Sequence, residues 1–147
     1  MIEPAKKISR LSNMRREKAY IEKEENRLTT PIEPDVEKLG NCYDVYVKAL
    51  REINHCAYPH SAKSRKKFLF AALYVFSPGA LVGKKLRNGV RDKIASVFGD
   101  VDPSSISHLS ENLFFLYSKY SSFRRDADYI TNAMVTFLKG EDYTEKV

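Results

Sequence analysis

The sequence predicts an all-α, multi-helix domain that carries a variant helix-turn-helix. Three observations lead there. Apolar residues recur at spacings of three and four along most of the chain, the period of one helix face. No two alternating apolar–polar runs pair convincingly as strands. Proline, glycine and serine cut the chain into helix-length pieces, at Pro31 and Pro34, at "AYPHS", at "SPG", at "GDVDP" and at Ser121-Ser122. With 147 residues there is length enough for one domain with a real core.

The elements follow in order. Residues 5–28 read as a polar, weakly amphipathic helix with a sparse stripe of Ile8, Leu11, Met14 and Ile21, so residues 1–30 are expected to be a helix or arm apart from the domain at 31–147. A helix this polar needs a partner surface to be stable. Asp35 is a plausible N-cap for the next helix. Its seam, Val36, Leu39, Tyr43, Tyr46, Leu50 and Ile53, is the most regular in the chain. That seam fits the core or a second copy of itself, so a homodimer through helix 35–55 is an expectation beside the preferred core packing.

Ser61 or Ser64 caps "AKSRKKFLFAALYVF", which is basic at its start and apolar on nearly all sides after it. That is the pattern of a central buried helix. The stretch from Phe68 to Gly83 has no charge, but its 16 residues are broken by Ser77-Pro78-Gly79 and too short to span a bilayer. A turn-rich connection with one short helical piece follows, then a helix at 90–98. A long helix is expected from Ser104 to about Tyr120, with Ile106, Leu109, Leu113, Leu116 and Tyr120 inward. A last helix is expected to stop at Gly140, a natural C-cap.

The start, "MIEPAKKISRLSNMRREK", has no apolar core of the secretory kind, which gives the expectation of an intracellular, cytoplasmic protein without membrane contact. Cys42 and Cys56 agree with that. On one helix they stand about 21 Å apart at 1.5 Å per residue, far beyond the roughly 7 Å of a disulfide. His55, Cys56 and His60 form too loose a set for a metal site, and no cofactor is expected.

Charge is unevenly distributed. Residues 59–98 carry nine basic groups and one acidic, net +8, in a chain whose total is +6. Such a local field calls for an anionic partner. The segment runs directly into "FGDVDPSSISHL", where the requirements of a helix-turn-helix at 90–120 are met. Ile94 and Phe98 are apolar and inward, Ala95 is the small residue at the crossing, and Gly99 tolerates positive φ. Asp102 caps, Pro103 suits the first helical position, and Ile106 and Leu109 pin the second helix. Ser104, Ser105, Ser107 and His108 are then left outward at a helix N-terminus, where recognition helices touch bases and phosphates. The turn is about one residue longer than in the commonest repressors.

"FGDVDPSSISHL" resembles the signature of the C-terminal DNA-binding domain of the bacterial replication initiator DnaA, a helix-turn-helix of the Trp-repressor-like kind. Phe98, Gly99, Asp102, Ser104, Ser105, Ile106 and His108 match it in order, and "KSRKKFLFAALYVF" resembles the basic start of that domain's long helix. The resemblance covers roughly residues 63–120. It implies base-reading positions at Asp102, Pro103 and Ser104, backbone contacts near Ser105 and His108, and Lys63 or Arg65 toward the minor groove. Pro103 departs from a family histidine, so the initiator's own site is not expected to be read. The connection Pro78–Gly89 is longer than the family's, and no Gly-rich phosphate loop occurs in the chain. A detached recognition module is implied.

The expectation is therefore a sequence-specific or architectural double-stranded DNA-binding protein, of the kind that regulates a phage or mobile element. Its contacts would be Asp102, Pro103, Ser104, Ser105, Ser107 and His108 with Lys63, Arg65, Lys66, Lys67, Lys84, Lys85, Arg87, Arg91 and Lys93. The rival is a phage structural or assembly protein that uses the basic patch on DNA or on an acidic partner. No enzyme is expected. No Ser/Cys–His–Asp arrangement is suggested by spacing, and tyrosines such as Tyr117 and Tyr120 near Arg124 and Arg125 read as core rather than catalytic.

Overall fold

The computed structural model describes residues 3–144. All regular structure among them is helical, and the chain divides at Thr30/Pro31 into two compact units. No described helix is long and apolar enough to cross a membrane.

The first unit is helix α1, Pro4–Leu28, with proline in its first turn and no buried residue. It ends where the Thr29 hydroxyl donates to the Glu25 carbonyl at 2.8 Å and the Thr30 hydroxyl donates to that of Asn26, also at 2.8 Å. These bonds satisfy carbonyls that a helix end leaves without partners.

The second unit contains α2 (Leu39–Ile53), α3 (Ala62–Phe76), α4 (Val90–Phe98), α5 (Pro103–Ser110), α6 (Leu113–Lys119) and α7 (Ser121–Thr144), with short 3₁₀ turns at Val36–Lys38 and Pro78–Val82. Asp35 caps the first 3₁₀ turn by accepting from the Glu37 N–H. Ser61 caps α3 by accepting from the Ser64 N–H at 3.2 Å. As its all-round apolarity predicts, α3 is the centre. Every residue from Phe68 to Phe76 is buried except Tyr74, and the helix packs against α7, α2, α5 and α6.

The seam of α2 faces this core. Leu39, Tyr46 and Leu50 are buried, and α2 lies against α7, α3 and α4. The seam is therefore not an open face for a second copy, and the expected homodimer through it is not what the packing favours. The outer side of α2 is mostly polar, with Asp44, Lys48, Arg51 and Glu52.

Two helix ends differ from expectation. The helix from Ser104 to Tyr120 is two helices, with a break at Glu111–Asn112. The Ser110 hydroxyl donates to the Ile106 carbonyl at 2.7 Å, a back-bond that bends helices, and Asn112 leaves the helical region at φ −114°, ψ 18°. Tyr120 is extended and half exposed, rather than the end of an inward stripe. At the C-terminal side, α7 passes through Gly140 to Thr144. A glycine inside a helix costs only about 1 kcal/mol relative to alanine, so without a following proline it does not force a stop.

Candidate nucleic-acid interface

The α4–turn–α5 unit is built as its sequence dictates. Ile94, Ala95 and Phe98 are buried on α4, and Ile106 is buried on α5. Gly99 has φ +83°, and a Cβ there would meet nothing within 4 Å. Glycine is needed for the backbone angle, not for space. Asp102 stands at the N-cap in extended conformation, and its carbonyl accepts from the Ser105 N–H at 2.9 Å. Its carboxylate makes no capping bond, contrary to the expected cap, and the Ser105 N–H that such a cap uses goes to the Asp102 carbonyl instead.

The loop 83–89 lies beside α5. An open cleft of about 650 Å³ is lined by Lys84, Lys85, Arg87, Asn88 and Arg91 together with Ser107, Ser110 and Glu111. Four cations face two carboxylates there, Asp92 and Glu111, so the cleft is net positive. Ser110 and Asn88 were not among the sequence-derived candidates. Ser110 lies three residues after Ser107, on the same helix face, and that spacing was the signal available.

The outward cations are Lys63, Lys84, Lys85 and Arg91, with Lys66 half exposed. Four others have partners within the domain. Lys67 is buried and donates to Asp126 at 2.7 Å, with side-chain exposures of 11% and 9%. A charge enters an apolar core only with such a partner. Arg65 turns inward to Asp100 and to the face of Phe98. Arg87 donates to the carbonyls of Phe76 at 2.6 Å and Pro34 at 3.1 Å, satisfying the C-terminal end of α3 and holding the basic loop against it. Arg87 thus touches the cleft but is fixed by backbone. Lys93 donates to Glu37 at 3.2 Å.

Around α5, Asp102, Pro103, Ser104 and His108 are exposed, while Ser105 and Ser107 are half-buried. The outward face is narrower than the sequence implied. His108 pairs with Glu111 at 3.5 Å. Ser107 faces the cleft, and of the predicted α5 residues it alone joins the basic loop.

Tyr117 stacks on Phe70, with centroids 4.3 Å apart and planes at 7°, and donates to Asp128 at 2.7 Å. That bond and partial burial raise its phenol above the ordinary 10.0. Its packing is structural. Among the described residues no three His, Cys, Asp or Glu side chains gather to hold a metal.

No protein-family model, no curated protein and no solved structure matches the chain.

Proposed function

We propose that this protein binds double-stranded DNA through the α4–turn–α5 unit, as a helix-turn-helix, with the basic loop 83–89 on the phosphate backbone. The observation that carries the reading is the cleft that Lys84, Lys85 and Arg91 line together with Ser107. Cations beside hydroxyls at a helix flank suit a phosphate strand, to which both donate. The exposed Asp102, Pro103 and Ser104 at the start of α5 then lie toward base edges with His108 near the backbone, and the likeness of "FGDVDPSSISHL" to the initiator signature supports the same face. The reading assigns binding and no reaction.

A gel-shift series with random duplex DNA tests it. Retardation at low salt that is released by added salt is the expected result. A duplex that runs free at every salt concentration sinks the proposal.

A second reading, an assembly or interaction protein, has one observation of its own. Tyr74, Val82 and Phe114 are exposed around a shallow apolar groove, with Phe70, Pro78 and Leu81 at its floor. Contiguous exposed apolar surface marks protein contacts. Substituting Phe114→Ser should then alter oligomeric state or partner capture and leave DNA retardation unchanged.

A further inference from the structure

We infer that the N-terminal half of α1 is a second, independent contact for the same polyanion, running along the DNA backbone apart from the α4–turn–α5 unit. The inference rests on the duplex-binding reading of the domain.

Residues 4–18 carry Lys6, Lys7, Arg10, Arg15, Arg16 and Lys18 against Glu17 alone. None of these six cations forms an ion pair among the described residues, whereas the C-terminal half of the same helix has Arg27 on Glu24 at 2.9 Å. No residue of α1 is buried. A helix that is mostly polar and buries no residue is marginal alone, and most helical stability comes from a packed face. Here the missing partner must answer charge rather than apolar surface. Fifteen residues span about 22 Å at 1.5 Å each. Duplex DNA carries one charge per 1.7 Å of axis, so roughly a dozen phosphates lie along that length.

A membrane surface is the other anionic partner to weigh, because Ile8, Leu11, Met14 and Ile21 are exposed on α1. An interfacial helix needs these on one face. At about 100° per residue they fall within an arc of about 140°, but Lys7, Arg15 and Lys18 lie inside that same arc and interrupt it. The phosphate row of DNA accepts such an arrangement and a bilayer does not.

The test uses the full-length chain. Affinity for a random duplex is measured over a series of salt concentrations for the parent and three variants. The first is Lys6→Gln/Lys7→Gln/Arg10→Gln/Arg15→Gln. The second removes the domain's cations, Lys63→Gln/Lys66→Gln/Lys84→Gln/Lys85→Gln. The third is a charge control on other exposed sites, Lys48→Gln/Arg51→Gln/Lys119→Gln/Lys139→Gln. Each lost phosphate contact makes the slope of log affinity against log salt shallower by about 0.9. The α1 variant should therefore flatten the slope by about 2–3, with an unchanged melting temperature because nothing it alters is buried. The control should keep the parent's slope. If the α1 variant keeps that slope while the domain variant flattens it, the α1 inference is overturned and the duplex reading of the domain stands. An equal flattening by the control also overturns it, since the effect is then net charge rather than contact. A parent that does not bind the duplex overturns both. Vesicles of phosphatidylcholine and phosphatidylserine in equal parts are the remaining arm. Capture of the parent by them, lost in the α1 variant while its duplex slope is unchanged, assigns α1 to a membrane instead.

Discussion

Arg65 Nη2 donates to Asp100 Oδ1 at 2.7 Å, 35 residues further along the chain, while its guanidinium carbon lies 4.6 Å from the centroid of the Phe98 ring. One side chain thus ties the first turn of α3 to the turn that leads into α5. Only arginine combines a planar surface for the ring with a fork for the carboxylate, so lysine does not replace it. Phe98 in turn meets Phe68 and Tyr43 edge-on, with centroids 5.7 and 6.1 Å away. The contact sets where α5 starts, and hence where the residues proposed to read DNA stand.

This pairing makes the turn sensitive to acid. The hydrogen bond from Arg65 holds the Asp100 carboxyl below its ordinary 3.8. A carboxyl whose pKa is lower in the folded state adds stability above its unfolded value and loses it as pH falls through the folded one. Asp100→Asn should therefore lower the melting temperature slightly near neutral pH and not at all below the folded pKa. Asp100 is well exposed, so solvent screening keeps the effect small. Thermal melts of parent and variant across that acid range check it, and a gap that widens with acid contradicts it.

Lys67 and Asp126 predict a larger effect that does not concern DNA. Removing one partner of a buried pair leaves the other charge unanswered and costs about 3–5 kcal/mol. Asp126→Leu, which strands Lys67, should destabilise by that amount. Lys67→Met costs less, because Arg125 still donates to Asp126 at 3.3 Å. Lys67→Met/Asp126→Leu should recover most of the loss, because an apolar pair of similar volume is often neutral. Urea unfolding of the three variants measures this. A mild Asp126→Leu would place the pair in water rather than in the core.

These pairs mark the boundary of what the sequence makes legible. Gly99, Ile94, Phe98 and Ile106 were readable because a positive-φ turn and an apolar period are local signals. The nine cations of residues 59–98 look alike in sequence. Whether one faces solvent depends on a partner 35, 53 or 59 residues away, as for Arg65, Arg87 and Lys67. Lys67 carried one local warning. Ser64 and Ala71, three before and four after it, lie on the same face of α3 and are buried with it. The break between α5 and α6 was hidden by the intact spacing of Ile106 and Leu113, which a bend at Ser110 does not disturb.

The proposed phosphate contacts of that segment are five cations: Lys63, Lys66, Lys84, Lys85 and Arg91. If each contacts one phosphate, this face contributes about −4.5 to the slope of log affinity against log salt. Neutralising Lys84 and Lys85 together should make it shallower by about 1.8. Fluorescence titration over a range of salt reads both values. A slope that does not respond to Lys84 and Lys85 removes the cleft from the interface.

The face of α5 separates sequence reading from mere attraction. Ser104 is exposed at the start of the helix, and Ile106 is fully buried behind it. Ser104→Ala removes a hydroxyl from the surface and should leave the melting temperature nearly unaltered. A lost base contact should weaken binding to the preferred site by about 1–3 kcal/mol, with much less effect on random duplex. Ser107 is half-buried at the cleft beside the basic loop, so Ser107→Ala should weaken both kinds of duplex alike, as a phosphate contact does. Ile106→Ala should behave as neither, because it opens a core cavity that costs about 2–5 kcal/mol of stability. Selection of a preferred site from random duplexes, followed by affinities for that site and a scrambled one, distinguishes the three. If Ser104→Ala binds both sequences as the parent does, direct readout by this face fails and the α4–turn–α5 unit is left with backbone contacts alone.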